Sequence, residues 1–436
     1  MYMCRISFCK LFLAIGSLAA LGFSMNTAHA APDLSLAEAE RLALAEDPAV
    51  IASRARADAL LEQSIAAGQL PDPKLLLGMW NVPVNDFSIS REPVTQFRTG
   101  LRQAFPRGSS LKYRQRSTEW MGKAQTSMTR NMQLEIQRDV RLSWLELYYQ
   151  QRAAGIIERS SGLFRQLVDI TRSHFASGRV SQQDVLQAQL ELSRLEDRTT
   201  RIYKQAEVQR ATLSRWIGER AWAPVENSFP GLPALPARDD LRKGLDSHPA
   251  IEAASARVQA QQQMVKVARE QYKPGFNVGV EYRKRFGDNP DGSERDDMMA
   301  AMVTLDLPFF TDKRQDKTLS ASQSLANAAI QGREQRLREL QRMLGSDYAR
   351  WQRLGEQEVL YRDKLLQEAR ANADAALSSY QNGINEFTTL MRARLMELEV
   401  QLQDTRIRVD RAKAAARLLF LAADGTDAMN QAGETP

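Results

Sequence analysis

Two rhythms of apolar residues alternate along this chain. The first has a period of two. Phe276, Val278, Val280 and Tyr282 interleave with Asn277, Gly279, Glu281 and Arg283, the pattern of a strand with one apolar and one polar face. Met299, Ala301, Val303, Leu305 and Leu307 repeat it, with Thr304 and Asp306 on the other side. Weaker versions run through Leu75, Leu77 and Met79, and through Phe97, Thr99 and Leu101 opposite Arg98 and Arg102. Strands are therefore expected at about 74–84, 95–105, 275–285 and 297–307, paired as antiparallel hairpins. Each approaches the roughly ten residues that a tilted membrane strand needs.

The second rhythm alternates steps of three and four. It runs through Val185, Ala188, Leu192, Leu195, Thr199, Ile202, Ala206, Leu213 and Trp216, with Gln209 as one polar member. It recurs through Leu395, Leu398, Leu402, Thr405, Val409, Ala412, Ala416 and Leu419. Sustained heptads of this kind build left-handed coiled coils. The segments before them contain no proline from 109 to 177 or from 312 to 382. About seventy helical residues reach on the order of 100 Å, far beyond a globular core.

Proline and glycine punctuate the chain twice in the same order. Pro48 and Pro249, Pro73 and Pro274, Gly78 and Gly279, Pro106 and Pro308, Gly178 and Gly383, and Gly218 and Gly425 match at nearly one offset. Such a match implies one supersecondary unit used twice. The first repeat is expected over 31–218, with its long hairpin at 109–217, and the second over 238–425, with its hairpin at 312–422. A proline-rich strap, 219–237, joins them, and 426–436 forms a polar tail.

Residues 1–30 read as an export signal. Arg5 and Lys10 precede a short apolar run, and Ala28-His29-Ala30 offers a small-residue cleavage site. Both cysteines, Cys4 and Cys9, lie inside it, so the mature chain has no thiol for disulfides, metals or nucleophilic attack. The net charge of +6 falls to about +4 without Arg5 and Lys10. The basic residues that raise the isoelectric point to 9.3 are interleaved with acids along helices, which argues against nucleic acid. No apolar run after the signal is long enough for a membrane helix.

Chemistry for turnover is missing from the sequence. Only His174 and His248 follow the signal, in different repeats, and no phosphate loop, metalloprotease motif or nucleophile elbow occurs. Met298, Met299 and Met302 read as packing on a strand and not as a soft-metal patch. The acids Asp288, Asp291, Glu294, Asp296 and Asp297 read as a solvated strand connection. The chain is read as no enzyme, with no cofactor and no metal site.

Closure decides the class. In lipid every backbone group needs a partner, so four strands cannot stand as an open sheet. Long helical hairpins likewise present seams that only neighbouring hairpins cover. Both demand a ring of identical chains, a β-barrel continuous with a tube of helices.

The hairpin tips bring in a resemblance. Gly178-Arg179-Val180-Ser181-Gln182-Gln183-Asp184-Val185-Leu186-Gln187-Ala188 is similar to the G-x-x-S-x-x-D-V-L-x-A tip of the TolC family of outer-membrane efflux channels. Tyr380-Gln381-Asn382-Gly383 keeps that family's tyrosine three residues before glycine. The resemblance covers nearly the whole mature chain. It implies a mainly α fold with a membrane β-barrel portion, a homotrimer with twelve strands and twelve tunnel helices, and a place in the outer membrane reaching into the periplasm. It further implies a periplasmic adaptor, an inner-membrane pump of the resistance-nodulation-division type and contact with outer-membrane lipid.

By the same resemblance Asp184 and Tyr380 link neighbouring hairpins in a closed periplasmic gate. Gly178, Val180, Ser181, Gly383 and Ile384 are the implied adaptor contacts. Thr389 and Arg392 stand where family members often carry acids, so an acidic gate ring is not expected here. Leu70-Pro71-Asp72-Pro73 followed by Asn81-Val82-Pro83 resembles the heavy-metal cation branch, which implies metal cations as cargo. The rival classes are a periplasmic adaptor and a structural coiled coil without a pore. An adaptor would carry one such hairpin flanked by β-rich lipoyl-like segments not seen here, and a structural coiled coil would leave the four alternating strands without purpose.

Overall fold

The structure, a computed structural model, describes residues 33–45, 47–384 and 386–423. The expected export signal at 1–30, Asn385 and the expected tail at 426–436 lie outside the described residues. The elements come in two parallel series. The first holds α1 (Leu36–Ala45), α2 (Pro48–Ala67), β1 (Lys74–Trp80), β2 (Gln96–Phe105), α3 (Ser110–Ala176) and α4 (Gln182–Ile217). The second holds α5 (Arg238–Gly244), α6 (Pro249–Glu270), β3 (Gly275–Arg285), β4 (Met298–Asp306), α7 (Gln315–Leu360), α8 (Leu366–Gln381) and α9 (Phe387–Leu421).

Local chemistry sets the helix starts. Asp47 and His248 occupy the same place in the two series, and each side chain accepts a hydrogen bond from a first-turn N–H ahead of a helix that opens on proline. β1 ends earlier than the period-two pattern implies, because Asn81 turns left-handed with φ 55°. Thr95 Oγ1 donates to Asn81 O at 2.7 Å and closes that end of the hairpin.

The strands form one antiparallel sheet in the order β1-β2-β3-β4. The helices below follow the same order, since α2 packs on α3, α3 on α6, and α6 on α7. Sheet and helix layer are thus one continuous wall. Farther along, α3 pairs with α4, α8 with α9, and α9 also packs on α3 and α7.

The coiled-coil seams lie where the heptads put them. All the seam positions of α4 and α9 named above are buried or half-buried. On α3, Gln150, Ala154, Ile157, Ser161, Phe164, Val168 and Thr171 continue the alternation of four and three. α7 does not run unbroken into α8, because one π-helical turn, Tyr361–Leu365, separates them. The extra residue shows in the burial, where Tyr361, Leu365, Ala369 and Ala373 take three steps of four in succession.

Where the two hairpins join the strap, a buried apolar cluster forms around Trp144. Trp144 is fully buried and donates from its indole to Leu34 O at 3.1 Å, while Leu34 bridges to Val225 of the strap. Arg141 holds Glu40 through two bonds of 2.7 and 3.1 Å, and Arg220 holds Glu38 through bonds of 2.8 and 3.0 Å. These partly buried, two-pronged pairs fix the short helix α1 and the strap onto the long rods.

Candidate functional site: conduit wall and hairpin tips

Register sorts the sheet into two unlike faces. Leu75 lies opposite Leu101, Leu101 opposite Val280, and Val280 opposite Ala301. The neighbouring rows add Leu77, Met79, Phe97, Phe105, Phe276, Val278, Tyr282, Met299, Val303 and Leu305. This apolar face is bare: Leu75 is 66% exposed and Met299 77%. Water is the wrong neighbour for so large a contiguous patch.

The opposite face is polar and predominantly basic. It carries Lys74, Arg98, Arg102, Arg283 and Arg285 against Glu281 and Asp306. Glu281 pairs with Arg283 at 3.2 Å. Gly100 makes room for it, since a Cβ there would lie 2.8 Å from Glu281 Cγ. The three methionines divide between the faces. Met299 joins the apolar face, but Met298 and Met302 sit on the polar one, opposite Arg283 and Gly279. Packing on a membrane face therefore accounts for only one of them.

β1 and β4 each pair on one side only, so both edges of the sheet carry free backbone groups. Beyond β3 the acidic connection is tied down by its single base. Arg295 donates to Ser90 O at 3.0 Å, Glu92 O at 3.1 Å and Phe286 O at 2.8 Å, joining the two strand connections.

At the far end the two tips share one backbone design. Gly178 and Gly383 adopt φ 72° and 71°, and the N–H of the next residue reaches back five residues, Arg179 to His174 O and Ile384 to Ser379 O, both at 2.9 Å. Their side-chain chemistry differs. Ser181 and Asp184 form a reciprocal capping box, with Ser181 N to Asp184 Oδ2 at 2.9 Å and Asp184 N to Ser181 Oγ at 3.3 Å. Glu386, the equivalent N-cap of α9, makes no side-chain cap bond.

The gate residues implied by resemblance meet differently from expectation within one chain. Tyr380 is buried and its hydroxyl lies 3.2 Å from Nδ1 of His174, a partner that the hairpin-tip resemblance does not imply. Asp184 is taken up by Ser181 instead, because a partner three residues away needs no second hairpin to be in place. Burial raises the Tyr380 hydroxyl above its ordinary pKa, and the nearby Asp184 charge adds to that. His174, Asp184 and Tyr380 all line one cleft of about 660 Å³ with Val180, Gly383 and Ile384. Gly178, Ser181 and Gly383 are exposed, Val180 is half-buried, and Ile384 is 76% exposed. Thr389 and Arg392 are exposed on α9, outside the cleft. The spacing that would have found His174 is its place four residues before Gly178, near Tyr380's place before Gly383.

Among the described residues, no helix is long and apolar enough to cross a membrane. Among them, too, no group of three or more His, Cys, Asp or Glu is placed to hold a metal ion.

Residues 241–424 match the family model described as outer membrane efflux protein. The match covers 184 of the 436 residues. Solved channels share its fold along almost their whole length. VceC, an outer membrane protein of Vibrio cholerae, is 17% identical with a TM-score of 0.76, over 89% of this chain and 96% of that one. CusC, solved in a study of conformational changes accompanying folding and transmembrane channel formation, is 14% identical with a TM-score of 0.75, over 90% and 93%. The MtrE outer membrane channel of Neisseria gonorrhoeae in its open state is 13% identical with a TM-score of 0.75, over 89% and 88%. Among curated proteins no sequence matches the chain significantly. At 13–17% identity these likenesses show a common fold.

Proposed function

We propose that three copies of the chain close into one passive duct, which carries cargo delivered by an inner-membrane pump through a periplasmic adaptor. One observation carries this reading: the sheet has a bare apolar face, a polar face and two unpaired edges. In lipid such a sheet is complete only when β4 of one copy pairs with β1 of the next. The helix layer ends in the same way, with α2 and α7 at its margins. The polar face then lines the pore.

The tips are the proposed gate and docking surface. Tyr380 and Asp184 hold the closed arrangement, with Thr389 and Arg392 on the return helix behind them. Gly178, Val180, Ser181, Gly383 and Ile384 present the adaptor contact, and a pump of the resistance-nodulation-division type supplies the energy. The resemblance of 70–83 to the heavy-metal branch favours metal cations as cargo, while the basic polar face favours anions or neutral compounds. We place the weight on the wall, since it is the surface that cargo meets.

The experiment is reconstitution. Protein extracted from membranes should need detergent, run as a heat-resistant trimer, and give stepwise conductance in a planar bilayer. A water-soluble monomer without conductance overturns the reading.

A further inference from the structure

A second feature of the wall lies where the strands give way to helices. A cleft of about 390 Å³ opens between α6 and α7, floored by Met264, Val267 and Ala268 and rimmed by Arg107 and Arg314. Its side of the wall is fixed by Gly275, which shares the polar face with Asn277 and lies opposite Asp306. A Cβ at Gly275 would point at Arg107 Cγ, 3.2 Å away. Arg107 therefore projects on the polar side, and the cleft it lines faces the pore under the reading above, on which this inference rests.

The cleft is electrically unbalanced. Arg107 spends one N–H on Gln271 O at 2.6 Å, and Arg314 leans on Phe310 O at 3.4 Å. Among the described residues neither guanidinium has a carboxylate within ion-pair distance. The first turn of the long helix α7 adds its positive dipole end at the same spot. Its one acid, Asp316, is engaged by the Tyr272 hydroxyl at 2.5 Å.

An independent sign comes from Gln315. It lines the cleft, is only 7% exposed, and its Oε1 has no hydrogen-bond partner. A buried acceptor left unpaired is costly, and a ligand donor relieves that cost. Two guanidiniums without a carboxylate in ion-pair distance among the described residues, an apolar floor and an orphan acceptor describe one ligand chemistry.

We propose that this cleft is a transient site for a hydroxylated aromatic carboxylate passing along the duct. The carboxylate bridges Arg107 and Arg314, the ring lies on Met264 and Val267, and the hydroxyl donates to Gln315 Oε1. The pore thus has a basic waypoint below its basic barrel wall.

The test uses the purified trimer in detergent, 4-hydroxybenzoate as probe, and ligand-observed NMR titration. Arg314→Gln and Arg107→Gln should each weaken binding about tenfold, the scale of one charge-assisted hydrogen bond. The lysine variants should recover part of the loss. Benzoate, lacking the hydroxyl, should bind several-fold more weakly, and the cation 4-hydroxybenzylamine should not bind. Unchanged binding in both glutamine variants, or equal binding of the cation, overturns the proposal. Conductance of the same preparation separates the two readings: a conducting trimer that ignores the probe refutes the site alone, and a binding protein that never conducts refutes the duct.

Discussion

The two hairpins are joined at both ends, and the joints are of different kinds. Near the strap, Glu146 of α3 accepts from Arg406 of α9 at 2.9 Å and from Lys413, with Gln150 adding a bond at 2.7 Å. Burial works against its charge, yet Lys413 and Arg406 hold its carboxyl below the ordinary range. Farther down, Arg198 meets Glu399 in the open. At the tips Tyr380 reaches across to His174 beside an open cleft. The chain is clamped at its waist and latched at its ends.

Breaking the clamp should cost most. Glu146→Ala strands Lys413 in a partly buried site and leaves Arg406 with Asp410 alone, a loss of about 3 kcal/mol. The expected outcome is a trimer that falls apart on mild heating and is cut by protease near the strap. Retention of full heat resistance contradicts the clamp.

Breaking the latch should cost less and act on opening. Asp184→Ala removes the carboxylate half of the capping box and leaves the backbone N–H of residue 184 on Ser181 Oγ, a loss of about 1 kcal/mol that should raise channel open probability several-fold. Tyr380→Phe loses one hydrogen bond, about 1 kcal/mol, while keeping its ring against Phe387. Since the two side chains hold different partners, their effects should add within about 0.5 kcal/mol in a double-mutant cycle. Strong non-additivity would instead restore a direct Asp184–Tyr380 link between copies.

The waist also carries a proton-sensitive part. His248 is fully buried, with Nδ1 accepting from Ala250 N at 3.2 Å and Nε2 donating to Phe420 O at 3.1 Å. Burial pushes its pKa below 6.5. A depressed pKa contributes stability above the unfolded value and loses it as pH falls towards the folded one. Heat resistance should therefore decline as pH drops from about 6.5, by at most ~1.4 kcal/mol per pH unit for one proton. His248→Asn, which caps α6 without titrating, should flatten that slope. Glu146 and Glu38, both held low, begin to lose their stabilisation only below their ordinary 4.5, so the two windows separate.

What the sequence made legible follows from its periods. The heptads of α4 and α9 and the alternation of β3 are repeated many times over, so each seam and face is specified redundantly. The π turn at Tyr361–Leu365 is a single inserted residue in a proline-free run, below what a repeating pattern resolves. The division of Met298 and Met302 from Met299 was present in their spacing, but similar hydrophobicity hid it. The His174–Tyr380 contact joins residues 206 apart in the chain, and no local period points to it. Likewise the cleft at Arg107 and Arg314 arises only when two turns from different repeats meet.

The finest test transfers a feature from one tip to the other. The second tip lacks the box because Glu386 and Thr389 stand where the first has Ser181 and Asp184. Glu386→Ser with Thr389→Asp should build it there, since Thr389 N already bonds Glu386 O at 3.1 Å and the backbone is in place. The gain should stay under about 1 kcal/mol. In a bilayer it should lower open probability several-fold without changing the conductance of the open state. A changed open conductance would mean that these residues narrow the passage itself, and the latch would then be part of the wall.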